Sequence, residues 1–369
     1  MGLPPLAALV VATETDFPPN YPSMNNQALL GIVVVSLAGL FIGSGAWPMK
    51  LIKTFKFEHW WFVGMLTGLF ILPWAVTMTA CPNAFRAFAS VPAEVYLQSN
   101  LWAAAWGVAN VLCGLCFVRI GVALTGAILT GLGVSIGVTL PMVVKGSGLF
   151  QDAPNLGSPA GLTVLLGVAV MLVGVALASA AGFGRDRILQ KSEERSGNFL
   201  GGLIMCVLAG IMSAGISLSF VYGQGPVVAA LKAQGAGEIP ATFGVWATAL
   251  VGGTLINVLY PAWLISKARS WHVLAQSWRD LVLAAIIGVN FAAGIVLMGN
   301  GMLMLGALGA SVGFGIQQAS QMLGGQALGF LSGEWKGVHG RPRSQMFLAI
   351  ALLIVAAVIM AMGNAQPKV

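Results

Sequence analysis

Apolar stretches about 20 residues long, separated by short polar or charged breaks, recur along this chain from Ala28 to Gly363. A helix of about that length crosses about 30 Å of hydrocarbon. Ten such stretches can be drawn, at 28–49, 59–80, 99–119, 121–144, 161–182, 199–221, 243–266, 280–300, 302–332 and 345–363. Some neighbours are separated by only a residue or two. Arg119 divides 99–144, and Asn300-Gly301 divides 280–332. The pattern predicts an all-α integral membrane protein with ten transmembrane helices. Trp47-Pro48, Leu72-Pro73-Trp74, Leu140-Pro141 and Tyr260-Pro261 predict helix breaks near span ends, where freed carbonyls must face protein or water.

Composition narrows the class. Hydrophobic residues make up 57% of the 369 residues, charged residues 8%, and the mean hydropathy is +0.88. A soluble domain is roughly a quarter charged, so the bilayer is the partner that the chain requires. The net charge of +7 does not point to nucleic acid, because of where it falls. Fourteen of the 18 lysines and arginines lie after the odd-numbered spans, from Lys50 to Arg343. Only Arg86, Lys145, Lys232 and Lys368 lie on the other side. By the positive-inside bias, the odd loops face the cytoplasm of a multi-pass inner-membrane protein and both termini lie outside. The start, 1–26, reads as a Pro-rich extracytoplasmic lead without the basic start of a signal peptide. Within 266–280, Trp271, Leu274 and Trp278 share a helical face, as in a short segment lying in the interface.

"SLAGLFIGSGAWP" (36–48) and "VLAGIMSAGISLS" (207–219) place Leu-Ala-Gly in one register, 171 residues apart. A unit of five spans is odd, so its duplicate inserts in the opposite orientation, an architecture of secondary transporters. The expectation is two inverted five-helix repeats, 27–182 and 199–363, joined by a cytoplasmic linker at 183–198 and followed by a tail at 364–369.

Polar side chains inside the spans carry the candidate chemistry. The stretch "SVGFGIQQASQMLGGQALGFLSGEW" (311–335) holds Gln317, Gln318, Gln321 and Gln326. Trp106 and Asn110, Ser213 and Ser217, and Gln317 and Gln321 each lie one turn apart, so each pair shares a helical face. Asn257 and Asn290 sit in the middle of spans 7 and 8. Taken singly, such residues serve as interhelical hydrogen-bonding groups worth about 0.6 kcal/mol. Taken together they describe a hydrated cavity whose amides suit a polyhydroxylated solute better than an ion. Cys113 and Cys116 form a CxxC within span 3, read as two small apolar residues one turn apart. His59, His272 and His339 fall at membrane edges or in loops, so no metal and no cofactor is expected.

Several of these stretches resemble the rhamnose–proton symporter family of the drug/metabolite transporter superfamily. They are "EHWWFVGMLTGLFILPWAVTM" (58–78), "WGVANVLCGLCFVRIG" (106–121), "SAGIS" (213–217), "GGTLIN" (252–257) and "EWKGVHGRPR" (334–343). The resemblance covers nearly the whole chain except the lead. It implies ten helices in two inverted repeats and uptake of L-rhamnose or a similar deoxysugar. It also puts Trp106, Asn110, Ser213, Ser217 and Asn257 at motif positions.

The expected function is transport of a small sugar by alternating access, without enzymatic activity. Gln317, Gln321, Asn110 and Asn257 would bond sugar hydroxyls, with Trp74 or Trp106 against the apolar face. Ser213, Ser217 and Asn290 complete the candidate set. Protons are a candidate co-substrate, but proton coupling, sodium coupling and uniport stay open. None of the eleven acids falls at mid-membrane; Glu58, Asp280 and Glu334 lie at cytoplasmic edges. A carrier or uniporter for another small metabolite is the alternative.

Overall fold

The computed structural model describes residues 26–45, 47–120, 122–144, 148–189 and 199–364. Most of the lead, residues 190–198 of the linker and 365–369 of the tail lie outside the described residues. The described residues form helices α1 (Asn26–Ser44), α2 (Phe57–Met65), α3 (Leu72–Ala80), α4 (Ala84–Ser90), α5 (Ala93–Ile120), α6 (Val122–Val143) and α7 (Pro159–Ile188). They continue as α8 (Phe199–Ser213), α9 (Gly215–Ala233), α10 (Glu238–Thr248), α11 (Val251–Lys267), α12 (Trp278–Met304), α13 (Phe314–Leu331) and α14 (Arg341–Asn364).

Every apolar stretch read from the sequence contains helix. By length and apolar composition, seven of the described helical segments qualify as membrane spans, or eight if α10 and α11, bent by 60°, make one. The chain is thus a multi-pass helical membrane protein. The α6 helix, Val122–Val143, is apolar along its 22 residues, and α13 carries the glutamines.

The boundaries move for local reasons. The α12 helix does not stop at Asn300-Gly301, as expected, but runs on to Met304, with the Asn300 side chain turned back to donate to the Val296 carbonyl at 3.2 Å. It ends where Gly306 takes φ +76°, a left-handed conformation that glycine adopts without strain. A π-helical segment, Gly309–Gly313, then leads into α13. The sixth span is longer than expected and is interrupted between Ser213 and Gly215, reaching Ala233. The α7 helix begins at a side-chain cap, with Ser158 Oγ accepting the Gly161 N–H at 3.0 Å and Pro159 at its first position. It extends to Ile188, so 183–188 is helix rather than linker. A second π segment, Leu66–Ile71, separates α2 from α3 just before Pro73. Trp271–Ala275 forms a 3₁₀ turn whose Trp271 is exposed, next to exposed Trp278 at the start of α12.

The packing is reciprocal. The α1 helix lies against α12 and α13, while the α8–α9 span lies against α5 and α6. The α2 helix packs on α12 as α11 packs on α5, and α7 pairs with α14. Glycines permit the closest of these approaches. A Cβ on Gly43 would overlap the Gln321 carbonyl, and one on Gly68 the Gly288 carbonyl. Backbones brought this close gain dispersion contacts, which drive association where lipid removes the hydrophobic effect between helices.

One end of the bundle carries the basic loops and is tied together by side chains. Lys50 bonds Glu334 Oε1 at 2.5 Å and Ser332 Oγ at 2.6 Å, and Arg185 reaches Glu334 Oε2 at 3.3 Å. Buried Asp280 accepts the N–H groups of Lys53, Thr54 and Phe55 at 3.2, 2.6 and 3.2 Å, clamping the loop after α1 to the start of α12. His59 is buried too, with Nε2 3.0 Å from Ser270 Oγ.

Candidate functional site

Five of the nine candidate residues line one cavity. Trp106 and Asn110 come from α5, Ser213 from the end of α8, and Gln317 and Gln321 from α13. The cavity measures about 310 Å³, within the range of small-molecule sites. Ile42, Trp61, Cys113 and Thr130, which also line it, lie toward the basic-loop ends of their helices. No charged residue is among its lining as far as the described residues go.

Its polar groups are arranged in linked pairs. Gln317 donates from Nε2 to Gln321 Oε1 at 2.8 Å, leaving the Gln317 Oε1 acceptor buried and without a protein partner. An amide oxygen in that state is costly unless a ligand or water meets it. Asn110 donates from Nδ2 to Asn257 Oδ1 at 3.2 Å, and Asn257 donates to the Gly253 carbonyl at 2.9 Å. Asn257 is 0% exposed, so it holds Asn110 in place rather than lining the cavity. The aromatic wall is Trp106, whose ring is parallel to that of Phe291 with centroids 6.3 Å apart.

Four expected residues lie outside the lining. Trp74 packs edge-on against Phe88 at 6.5 Å. Ser217 is buried between backbones, donating to the Gly137 carbonyl at 3.0 Å and the Ala310 carbonyl at 3.2 Å. Both serines face α6, Ser213 at Gly133 and Ser217 one turn on at Gly137, but only Ser213 lines the cavity. Asn290 donates to the Gly45 carbonyl at 3.4 Å, joining α12 to the end of α1. Asn257 is the fourth. Gln318, one of the four glutamines of that stretch, lines the cavity too, as does Cys113, which the sequence offered only as a small apolar residue; sequence reasoning passed over Thr130, Trp61 and Phe291. Phe291 directly follows Asn290 and Trp61 lies in the WW pair, but nothing in periodicity alone marks either as cavity-facing. Gln326 instead lines a neighbouring cleft of about 290 Å³ with Arg185, Asp186 and Glu334, which shares Thr130 with the first cavity.

The four cysteines are free. Cys206 packs with Cys116 in the interior, a contact that spacing alone did not suggest. Among the described residues, no group of three or more histidine, cysteine or acidic side chains could hold a metal.

The chain is 26% identical to the L-rhamnose-proton symporter of Yersinia pestis (strain Pestoides F) over 351 residues, covering 93% of this chain and 100% of that protein. It is 27% identical to the L-rhamnose-proton symporter of Pectobacterium carotovorum subsp. carotovorum (strain PC1) over the same length and coverage. Residues 24–366 match the family described as L-rhamnose-proton symport protein (RhaT). A match over nearly the entire membrane bundle shows that this chain belongs to the L-rhamnose-proton symport protein family, a family of transporters.

Proposed function

We propose that this protein carries L-rhamnose or a closely similar deoxysugar across the cytoplasmic membrane by alternating access. The observation that carries the reading is the cavity: amides and hydroxyls without a formal charge, one buried amide acceptor unmet, and an aromatic wall, all inside a membrane bundle. Such a surface complements hydroxyl groups on one side of a sugar and its C–H face on the other. Gln317, Gln318, Gln321 and Asn110 bind hydroxyls, Trp106 packs on the apolar face, and Asn257 positions Asn110.

Two inverted five-helix repeats, 27–182 and 199–363, provide the moving parts. Reciprocal packing supports this assignment, because exchanging the halves maps α1 on α12 and α13 onto the sixth span on α5 and α6. The Leu-Ala-Gly repeat fits as well. Gly39 approaches the backbone of α13, and its counterpart Gly210 approaches α6 at the Ile128 carbonyl. With the basic loops in the cytoplasm and both termini outside, the cavity lies in the cytoplasmic half of the bundle.

Proton symport is the coupling proposed, with Glu334 and Asp186, which line the adjoining cleft together with the shared Thr130, as the candidate carboxylates. The charge-free lining of the cavity itself favours a second reading, a facilitator in which sugar moves without protons. Purified protein in liposomes, supplied with radiolabelled L-rhamnose with and without an inward proton gradient, separates them. Accumulation above equilibrium only with the gradient establishes symport. Equilibration indifferent to the gradient establishes the facilitator. No entry under either condition refutes the sugar.

A further inference from the structure

The half of the bundle away from the basic loops contains a buried polar cluster that the cavity does not use. Gln224 on α9 is 0% exposed, and neither its Oε1 nor its Nε2 has a partner among the described residues. Its amide lies flat against Gly299 of α12, where an added Cβ would meet the two amide atoms at 2.6 and 2.7 Å. In the same contact, Thr242 of α10 donates from Oγ1 to Asn300 Oδ1 at 2.8 Å. One turn along α10 from Thr242, the indole N–H of Trp246 is also buried and unpartnered. The Trp246 ring meets Phe220 at 5.6 Å and Trp106, the wall of the cavity, at 6.2 Å.

An amide that finds no partner in a dry interface is a liability that leucine would remove. Its presence is accounted for if a second conformation supplies the partner. Alternating access requires that α9, α10 and α12 part on this side, which turns the Gln224–Gly299 contact into the wall of an opening. Gln224 lies eight residues along α9 from Ile216, which lines the central cavity, roughly 12 Å outward by helical rise. A primary amide both donates and accepts, as adjacent sugar hydroxyls require.

We propose that Gln224, with Thr242, Asn300 and the Trp246 N–H, forms an outer sugar-binding station that opens with the sealed half and passes its ligand to the central cavity beside Trp106. This inference rests on the sugar-transport reading above. Two cysteine variants of the full chain test it: Gln224→Cys with Cys81, Cys113, Cys116 and Cys206 replaced by serine, and a variant that keeps only native Cys113, which lines the central cavity. In right-side-out vesicles, a membrane-impermeant maleimide is expected to modify position 224 from outside, and saturating L-rhamnose to slow that modification about tenfold. A permeant maleimide reports Cys113. No modification of position 224 from outside, or modification that L-rhamnose does not slow while it protects Cys113, overturns the outer station and leaves the transport reading intact. Protection at neither position overturns both.

A second variant guards against loss of fold in the cysteine-free background. Gln224→Leu in the otherwise unchanged chain should raise the half-saturating L-rhamnose concentration about tenfold from the outer face. From the cytoplasmic face, measured in inside-out vesicles, it should not rise. An equal rise from both faces, or none from the outer face, overturns the proposal.

Discussion

The two halves of the bundle, meeting near Trp106, are built from similar helices but packed differently. Toward the basic loops, α5, α6, α12 and α13 diverge around a cavity with glutamines, Asn110 and Thr130 on its walls. Toward the other end, Phe150, Phe220, Trp246 and Leu250 are each at most 1% exposed. The closed end is also knotted by polar groups. Ser99 donates to the Ser219 carbonyl at 2.8 Å and the Ala249 carbonyl at 2.7 Å. Asn100 braces the bend between α10 and α11, donating to the Thr248 carbonyl at 3.0 Å and accepting the Gly252 N–H at 2.8 Å. At the open end, the Lys50–Glu334–Arg185 group is part-exposed, its side chains at 23–39%, and the buried Asp280 clamp lies at the loop after α1 rather than across the cavity. On the alternating-access reading proposed above, this asymmetry is expected: one half gives up packing for hydration, and the other excludes water.

The comparison predicts where substitutions act. The largest effect is expected from Gln317→Leu with Gln321→Leu. It should weaken L-rhamnose binding by about 1,000-fold or more, since a site built for hydroxyls loses heavily when its amides go. Equilibrium binding on protein that elutes as a folded species checks it, and retained affinity removes the site from the open half. Next comes Phe220→Ala in the sealed half, expected to destabilise the protein by about 3 kcal/mol in thermal unfolding in detergent. The same change at Phe291, half-buried in the cavity wall, should cost about 1 kcal/mol. Equal costs would erase the contrast between the ends.

Asp280→Ala deprives three backbone N–H groups of their acceptor. It is expected to cost about 2 kcal/mol and to expose the loop at 53–55 to proteolysis. The smallest effect belongs to Glu334→Gln, which loses surface ion pairs worth at most about 1 kcal/mol. Its stability should hardly change. Proton-driven accumulation of L-rhamnose should fall if Glu334 couples, which makes it a sharp test of chemistry at the open end.

Much of this was legible in the residues. Each apolar stretch contains helix because burying backbone polar groups in lipid leaves the helix as the local solution. The Gln pair of α13 and the Trp106–Asn110 pair hold their one-turn spacing into the cavity, since each sits within an unbroken helix. Ser213 and Ser217 keep theirs along α6, at Gly133 and Gly137, but the Ser217 hydroxyl is taken up by backbone carbonyls and only Ser213 reaches the cavity. Trp74, Asn257 and Asn290 show the deeper difficulty. A polar or aromatic residue at mid-span looks the same whether it meets another helix or a ligand, and only the neighbour decides. Asn257 became a support because Asn110 stands in front of it. Phe291 became a wall because α12 turns it inward while Asn290 reaches Gly45.

Membrane residence, helical class and the family were determined by the sequence itself, because they depend on length, hydropathy and ordered motifs that act locally. The choice among the polar residues belonged to the tertiary structure. Which amides face the cavity, which are spent on neighbouring helices and which, like Gln224, are left unmet depends on helices distant in the chain coming into contact, as Asn110 and Asn257, 147 residues apart, do at 3.2 Å. No local pattern encodes that distance.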